Sequence, residues 1–259
     1  MKKIALALLA ALLIPAAAFA ADKTFKVGVT PFPHKDIMEI VKPIVAKDGI
    51  NLEIIEFTDY VTPNTALAEK ALDANFFQHV PYLENTCKEK GYDLTWVAKI
   101  HIEPLGLYSQ KIKKIDELKD GSTIAIANDA VNGARGLRLL EKHGLIKVKK
   151  GELITAKDVT DNPKKLKFRE IDAAQLPRTL QDVDAAVINT NFACEAGLIP
   201  ARDALIIEDK DSPFANVLAI RTADKNDKVV KAVAKACNSK EVKYFSNKEL
   251  VPKGIVPAF

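Results

Sequence analysis

The apolar positions of this chain repeat with two periods, and segments of the two kinds alternate from end to end. Phe25 to Thr30 (Phe-Lys-Val-Gly-Val-Thr) alternates apolar and polar residues, the period of a strand with one buried face. Pro31-Phe32-Pro33 then predicts an extended loop, because a residue before proline is steered away from helical angles. Ile37, Ile40, Val41, Ile44 and Val45 recur at helical spacing, with Asp48-Gly49 as the stop and a kink expected at Pro43. Further strands are predicted over 51–57, 94–100, 123–127, 185–188, 205–208 and 217–221. Further helices are predicted over 62–71, 81–90, 115–118 and 131–143, the last closed by Gly144, and a final amphipathic helix spans 228–239. Strands alternating with helices predict an α/β architecture with largely parallel sheets.

No low-complexity linker or internal repeat divides the chain. Two segments, 103–112 and 216–222, mix strand formers with turn residues and are candidates for crossings between domains. If both cross, residues 21–107 with 217–259 form one lobe and 108–216 the other. A ligand would then sit in the cleft between them, a preferred place for small-molecule sites.

The N-terminus adds a location. Met1-Lys2-Lys3 is basic, Ile4 to Leu13 is unbroken apolar sequence, and Pro15 precedes Ala18-Phe19-Ala20. That order describes a secretory signal peptide over 1–20, cleaved after Ala20, and predicts a periplasmic protein. The competing reading is an uncleaved membrane anchor, since the apolar stretch runs to Ala21 and approaches the ~18–20 residues a spanning helix needs. Pro15 and the delay of the next basic residue to Lys23 argue against it. No cysteine stands near the cleavage site to take a lipid.

The 259 residues are 48% hydrophobic and 28% charged, ordinary globular composition with ample material for a core. The formal charge of +4 includes Lys2 and Lys3, and the remaining basic runs are followed by acids, as in Lys147-Val148-Lys149-Lys150 and then Glu152. These are solvated faces, and no aromatic residues interleave with them as a single-strand binder requires, so nucleic acid is not an expected partner. Cys87, Cys194 and Cys237 are an odd number of thiols without metal-type or redox spacing. Small buried side chains are their default role, with a Cys87–Cys237 bridge as the alternative.

Two distant stretches read as halves of one pocket. Phe77, His79 and Tyr82, with Tyr60 upstream, are aromatic groups on adjacent segments. Phe77 and Tyr82 could each be core residues, the commoner fate of a lone aromatic, but four such groups on two adjacent segments are less typical of a core, and His79 needs a polar partner if buried. Asn132 and Arg135 lie on the first turns of a helix that follows an apolar strand, where free N–H groups and partial positive charge suit a carboxylate. Arg135 could bind that carboxylate bidentately or make a surface salt bridge, the role expected of Arg138. Asn128-Asp129 reads as ordinary N-cap chemistry, and Asn132 as either cap or ligand contact. Asn189 ends a predicted strand and Asn216 follows Ser212-Pro213-Phe214-Ala215; each could accept from an α-ammonium or satisfy loop backbone. An apolar cage beside polar groups is what an apolar amino acid needs, and thioether–aromatic contacts would suit methionine.

Catalytic signals are poor. The chain has no Gly-x-Ser-x-Gly, His-Glu-x-x-His, P-loop or Gly-x-Gly-x-x-Gly, so neither an enzyme nor a cofactor is expected. His34, His101 and His143 do not form metal-ligand spacing with carboxylates or with one another, and no metal is expected.

At these residues the sequence resembles the methionine-binding proteins of methionine ABC importers, the family that includes the NlpA lipoproteins. The resemblance is carried, in family order, by segments 27–34, 57–61, 73–83 (Asp-Ala-Asn-Phe-Phe-Gln-His-Val-Pro-Tyr-Leu), 128–135 (Asn-Asp-Ala-Val-Asn-Gly-Ala-Arg), 175–178, 187–189 and 208–216. It implies a two-lobed periplasmic-binding-protein fold of type II kind, with two mixed sheets and a hinged cleft. It implies that Arg135 and Asn132 hold a substrate carboxylate, that Asn189 and Asn216 hold the amino and carboxylate end, and that Tyr60, Phe77, His79 and Tyr82 surround the side chain. The implied function is capture of methionine, in the L or also the D form, and delivery as a monomer to a membrane permease with its ATPase. The alternatives are a different amino acid, a methionine-containing dipeptide, or a surface interaction protein. The chain departs from the pattern at Ala18-Phe19-Ala20-Ala21, where relatives carry a lipid-modified cysteine, so lipid anchoring is not expected. It also departs at Ala127 and Ala130, often proline, and at Phe214, often tyrosine.

Overall fold

Two mixed sheets, each covered by helices on both faces, organise the computed structural model, which describes residues 23–209 and 211–259. The predicted signal segment 1–20 lies outside the described residues. In chain order the first elements are β1 (Lys23–Val29), α1 (Asp36–Ala46), β2 (Ile50–Glu56), α2 (Thr62–Ala68), β3 (Ala74–His79), α3 (Val80–Lys90) and β4 (Leu94–Ile102). The middle of the chain supplies β5 (Gly106–Tyr108), β6 (Thr123–Ala127), α4 (Ala130–Lys142), the short pair β7 (Lys147–Val148) and β8 (Val159–Asp161), β9 (Lys167–Ile171), β10 (Ala185–Ile188), α5 (Thr190–Glu195), α6 (Pro200–Asp203) and β11 (Ile206–Ile207). The last part is β12 (Ala215–Arg221), α7 (Lys228–Cys237), α8 (Lys240–Phe245) and β13 (Val256–Pro257).

The first sheet has the order β13-β4-β12-β3-β1-β2 and the second β11-β5-β10-β6-β9. Parallel pairing joins β1 to β2 and β3, and β6 to β9 and β10. The remaining pairs are antiparallel, because β4, β5 and β12 carry the chain between the sheets and back. The outward crossing falls between Ile102 and Gly106 and the return between Ile207 and Ala215. Both crossings therefore lie beside the site described below.

Each sheet has a core on both faces. Val27, Val29, Phe76 and Ile100 pack under Ile37, Val41, Val233 and Cys237 of α1 and α7, while Val217 and Ala219 face Leu67, Leu72 and Leu83 near α2 and α3. In the second sheet Ile124, Ile126 and Val187 meet Leu137 and Leu140 of α4, and Ala125, Ala186 and Ile188 meet Leu176 and Phe192 on the other side. Helix α4 lies so close to β6 that a Cβ at Gly133 would stand 2.8 Å from the Ala127 carbonyl oxygen, so glycine there sets the depth at which Asn132 and Arg135 enter the cleft.

Pro43 sits inside α1, where the helical spacing placed it. Two local features differ from the sequence pattern. Residues 31–35 form a helical turn feeding α1, and only Phe32 keeps extended angles (φ −117°, ψ 140°). Segment 74–79 is a central strand with all six residues buried. Its lack of alternation hid it, since a strand covered on both faces has no two-residue period. All three cysteines are free; Cys237 and Cys87 pack on opposite faces of the first sheet, which rules out their pairing here.

Candidate functional site

The site forms where β3, β6 and β10 end and β12 begins, at the edge of each sheet nearest the crossings. In open α/β sheets strand ends of this kind leave a crevice that neighbouring helices cannot fill. One cavity is lined by Tyr60, Phe77, His79, Tyr82, Asn132, Arg135, Asn189 and Asn216, together with Gln78, Glu103 and Thr190. All eight residues singled out in the sequence thus meet in one place.

The apolar half is a cluster of rings. Tyr60 lies 5.9 Å from both Phe77 and Tyr82, ring centre to ring centre, and Phe77 lies 6.2 Å from Tyr82. Phe192, from the second sheet's side, closes on Tyr60 at 4.9 Å. These separations are those of favourable tilted and edge-to-face aromatic pairs. Tyr82 Oη donates to the Tyr60 carbonyl at 2.9 Å, and Tyr60 Oη donates across the cleft to Asn191 Oδ1 at 2.5 Å. The hydroxyls are therefore spent on structure, and burial pushes both phenols above their usual range.

The polar half is built around Arg135, whose guanidinium is buried. Its Nε and Nη2 donate to the Glu208 carboxylate at 2.8 and 2.6 Å, Nη2 also reaches the Glu103 carbonyl at 2.8 Å, and the plane stacks 4.0 Å from the Phe214 ring. No hydrogen bond engages Nη1 among the described residues. The α4 N-terminus offers fewer free N–H groups than expected, because the N-cap Asp129 carboxylate accepts from Asn132 N–H at 2.8 Å.

Hydrogen-bond logic fixes which way each amide faces. His79 Nδ1 accepts from Tyr82 N–H, so its proton is on Nε2, which donates to Asn132 Oδ1 at 3.1 Å. Burial, with the nearby Arg135 charge, pushes the His79 imidazole down to about 3 and keeps it neutral. Asn132 Nδ2 is held by Asp129, and its Oδ1 also accepts from Asn189 Nδ2 at 2.9 Å. Asn189 Oδ1 is left buried with no partner among the described residues, an acceptor awaiting a donor. Asn216 has the opposite sense. Its Oδ1 accepts from His34 Nε2 at 3.1 Å, and His34 Nδ1 in turn accepts from Thr30 Oγ1, so Asn216 Nδ2 remains to donate.

Several contributors were not visible as site residues in the sequence. Asn64, Asn75 and Gln78 form a closed buried amide network beneath His79, with contacts of 2.7 to 2.9 Å. Asn75 and Gln78 stood in the quoted motif, but their partner Asn64 stood outside it. Glu208 likewise opened a motif without a role. Glu103 carried no motif at all, and the fold places it against His34 and His101, two histidines read from spacing as unrelated. Its Oε1 lies 2.6 Å from His101 Nε2 and 3.4 Å from His34 Nε2, and its Oε2 accepts from Asn191 N–H at 3.1 Å. Burial opposes ionisation, yet the two histidines and that N–H together hold the Glu103 carboxyl below its usual range. Donor atoms 2.6 Å apart are closer than the roughly 3.3 Å that two ligands on a tetrahedral zinc require, so the trio is a hydrogen-bonded cluster as it stands.

The sequence model of the NlpA lipoprotein family matches residues 25–259. The D-methionine-binding lipoprotein MetQ of Escherichia coli K12 is 45% identical over 229 residues, 86% of this chain and 84% of that protein. Outer membrane lipoprotein 3 of Mannheimia haemolytica is 46% identical over 228 residues, 86% of each chain. Among solved structures, a nutrient-binding protein from Burkholderia cenocepacia bound to methionine superposes with a TM-score of 0.88 at 44% identity, covering 91% of this chain and all of that one.

Proposed function

Since the chain belongs to the NlpA lipoprotein family, whose members bind substrates rather than transform them, we propose that it is an extracytoplasmic binding protein that captures methionine between its lobes and delivers it to the permease and ATPase of an ABC importer. The observation that carries this reading is the sorting of the cavity wall. Three rings line one part, and polar atoms of opposite sense, Asn189 Oδ1 as acceptor and Arg135 Nη1 with Asn216 Nδ2 as donors, line the other. A zwitterion leaving water must have both charges met, or burial costs several kcal/mol. The MetQ relative at 45% identity and the methionine-bound neighbour support the choice of methionine.

The residues act by closing. His79 bonds to Asn132, and Tyr60 to Asn191, across the gap between the sheets, so the site is complete only when the lobes meet. Binding energy then shifts the protein toward the closed form, which a permease can recognise.

The test is thermal unfolding of protein stripped by denaturation and refolding, against every amino acid in both stereochemical forms. A ligand that binds only the native state raises the midpoint. A selective rise with methionine is the expected result, and the two enantiomers report the stereochemical preference. A larger rise with another amino acid would overturn the methionine assignment.

A further inference from the structure

Two charged side chains line the cavity, and they are not in equivalent states. Arg135 has its counter-charge in Glu208. Glu103 has no such fixed partner: its carboxylate meets only the imidazoles of His101 and His34 and the Asn191 N–H, and among the described residues no lysine or arginine lies within ion-pair distance. Burial pushes His34 down to about 4, which keeps it neutral near pH 7. A carboxylate buried to 6% exposure without a fixed positive partner is costly, and a cation arriving beside it is correspondingly favoured. The unpartnered Asn189 Oδ1 points to the same need. It belongs to the segment 189–191 whose Asn191 N–H binds Glu103, so both acceptors are set by one segment of the cavity wall, which Arg135 also lines.

We propose that Glu103 supplies the negative charge that reads the α-ammonium of the ligand, with Asn189 Oδ1 as its neutral companion, so that the site admits only compounds with a free amino group. This rests on the amino-acid reading of the site and adds a residue and a selection rule to it. An N-acyl amino acid loses the cation and brings bulk to a closed cavity. A 2-hydroxy acid loses the cation and brings a net negative charge toward Glu103. Both are excluded by the same carboxylate. The neutral imidazoles of His34 and His79 cannot do this work, and the Asp129 carboxylate is occupied by Asn132.

The experiment is calorimetric titration of stripped protein with methionine, its 2-hydroxy analogue and N-acetylmethionine, in wild type, Glu103→Gln and Glu103→Asp. Wild type should bind methionine at least about a hundredfold tighter than either analogue. Glu103→Gln keeps the shape and removes the charge; it should weaken methionine by about thirtyfold or more while sparing the hydroxy analogue, shrinking the preference at least about tenfold. Glu103→Asp should retain the preference. If Glu103→Gln weakens both ligands alike, the residue only braces the lobes and the proposal fails. Should Glu103→Gln not fold, wild type binding N-acetylmethionine within about tenfold of methionine overturns it. If wild type prefers another amino acid, the methionine assignment falls but Glu103 is judged on that amino acid and its 2-hydroxy counterpart. Binding of no free amino acid overturns both.

Discussion

Arg135 and Glu208, 73 residues apart in sequence, are joined by two parallel hydrogen bonds, Nε to Oε1 at 2.8 Å and Nη2 to Oε2 at 2.6 Å. The pair is unequally buried, with the arginine side chain at 3% exposure and the glutamate at 14%. That inequality predicts an asymmetric mutational response. Glu208→Ala leaves a buried guanidinium that cannot deprotonate and should cost about 3 kcal/mol. Arg135→Ala leaves a carboxylate that can draw in water and should cost less. The double variant should lose less than the sum of the two. Urea unfolding of the ligand-free proteins measures all three, and a larger loss for Arg135→Ala would contradict the geometry.

Phe77 lies among Tyr60 and Tyr82 and lines the cavity. Phe77→Leu preserves apolar character but removes a ring face. If the ring serves a thioether, this variant should weaken methionine by about 0.3–1.5 kcal/mol and leave alanine nearly unchanged. The same variant should reduce the preference for methionine over norleucine, which has no sulfur. Titration with all three ligands decides it; equal losses would reduce Phe77 to a core residue.

Tyr60 bonds across the cleft to Asn191 at 2.5 Å and does not spend that hydroxyl on the ligand. Tyr60→Phe should therefore weaken every ligand by the same factor, about 0.5–1.5 kcal/mol, because it loosens the closed state and not a particular contact. The change should appear mainly as faster dissociation in stopped-flow measurements. A loss confined to methionine would place the hydroxyl in the ligand's own contacts instead.

Much of this was legible in the sequence, and the gaps have physical causes. Alternation located β1, and helical spacing located α1 and α4, because each presents one apolar face. Strand β3 escaped because both of its faces are buried, so the residues that carry the site, Phe77 and His79, looked like parts of loops. Arg135 and the asparagines were found by their position at element ends. Their orientation was not, since whether Asn189 accepts or donates depends on Asn132, 57 residues away, and that of Asn216 on His34, 182 residues away. Glu103 was beyond reach for the same reason. Its meaning comes from partners assembled by the chain crossing, and no local spacing encodes them.

His34 and His79 make acid sensitivity a consequence of the fold. Both are buried and neutral, with folded values near 4 and 3, against an unfolded value of about 6.5. A histidine with a lowered folded value contributes stability that is fully present above about pH 6.5. It is lost as pH falls below that, because the unfolded chain takes up protons the folded one refuses. Each can contribute a slope of up to about 1.4 kcal/mol per pH unit between roughly pH 6 and 4. Glu103, held below the usual carboxyl range, shifts in the same direction at still lower pH, since its stabilising ionisation is lost on protonation. Stability should therefore be nearly flat from pH 7.5 to 6.5 as far as these groups govern it, then fall steeply toward pH 4.5. Urea midpoints across that range measure the curve. His79→Gln, which cannot titrate, should be less stable at pH 7.5 and should lose about half of the histidine slope. A midpoint that rises on acidification, or a slope untouched by the substitution, would mean that the buried imidazoles do not govern the response.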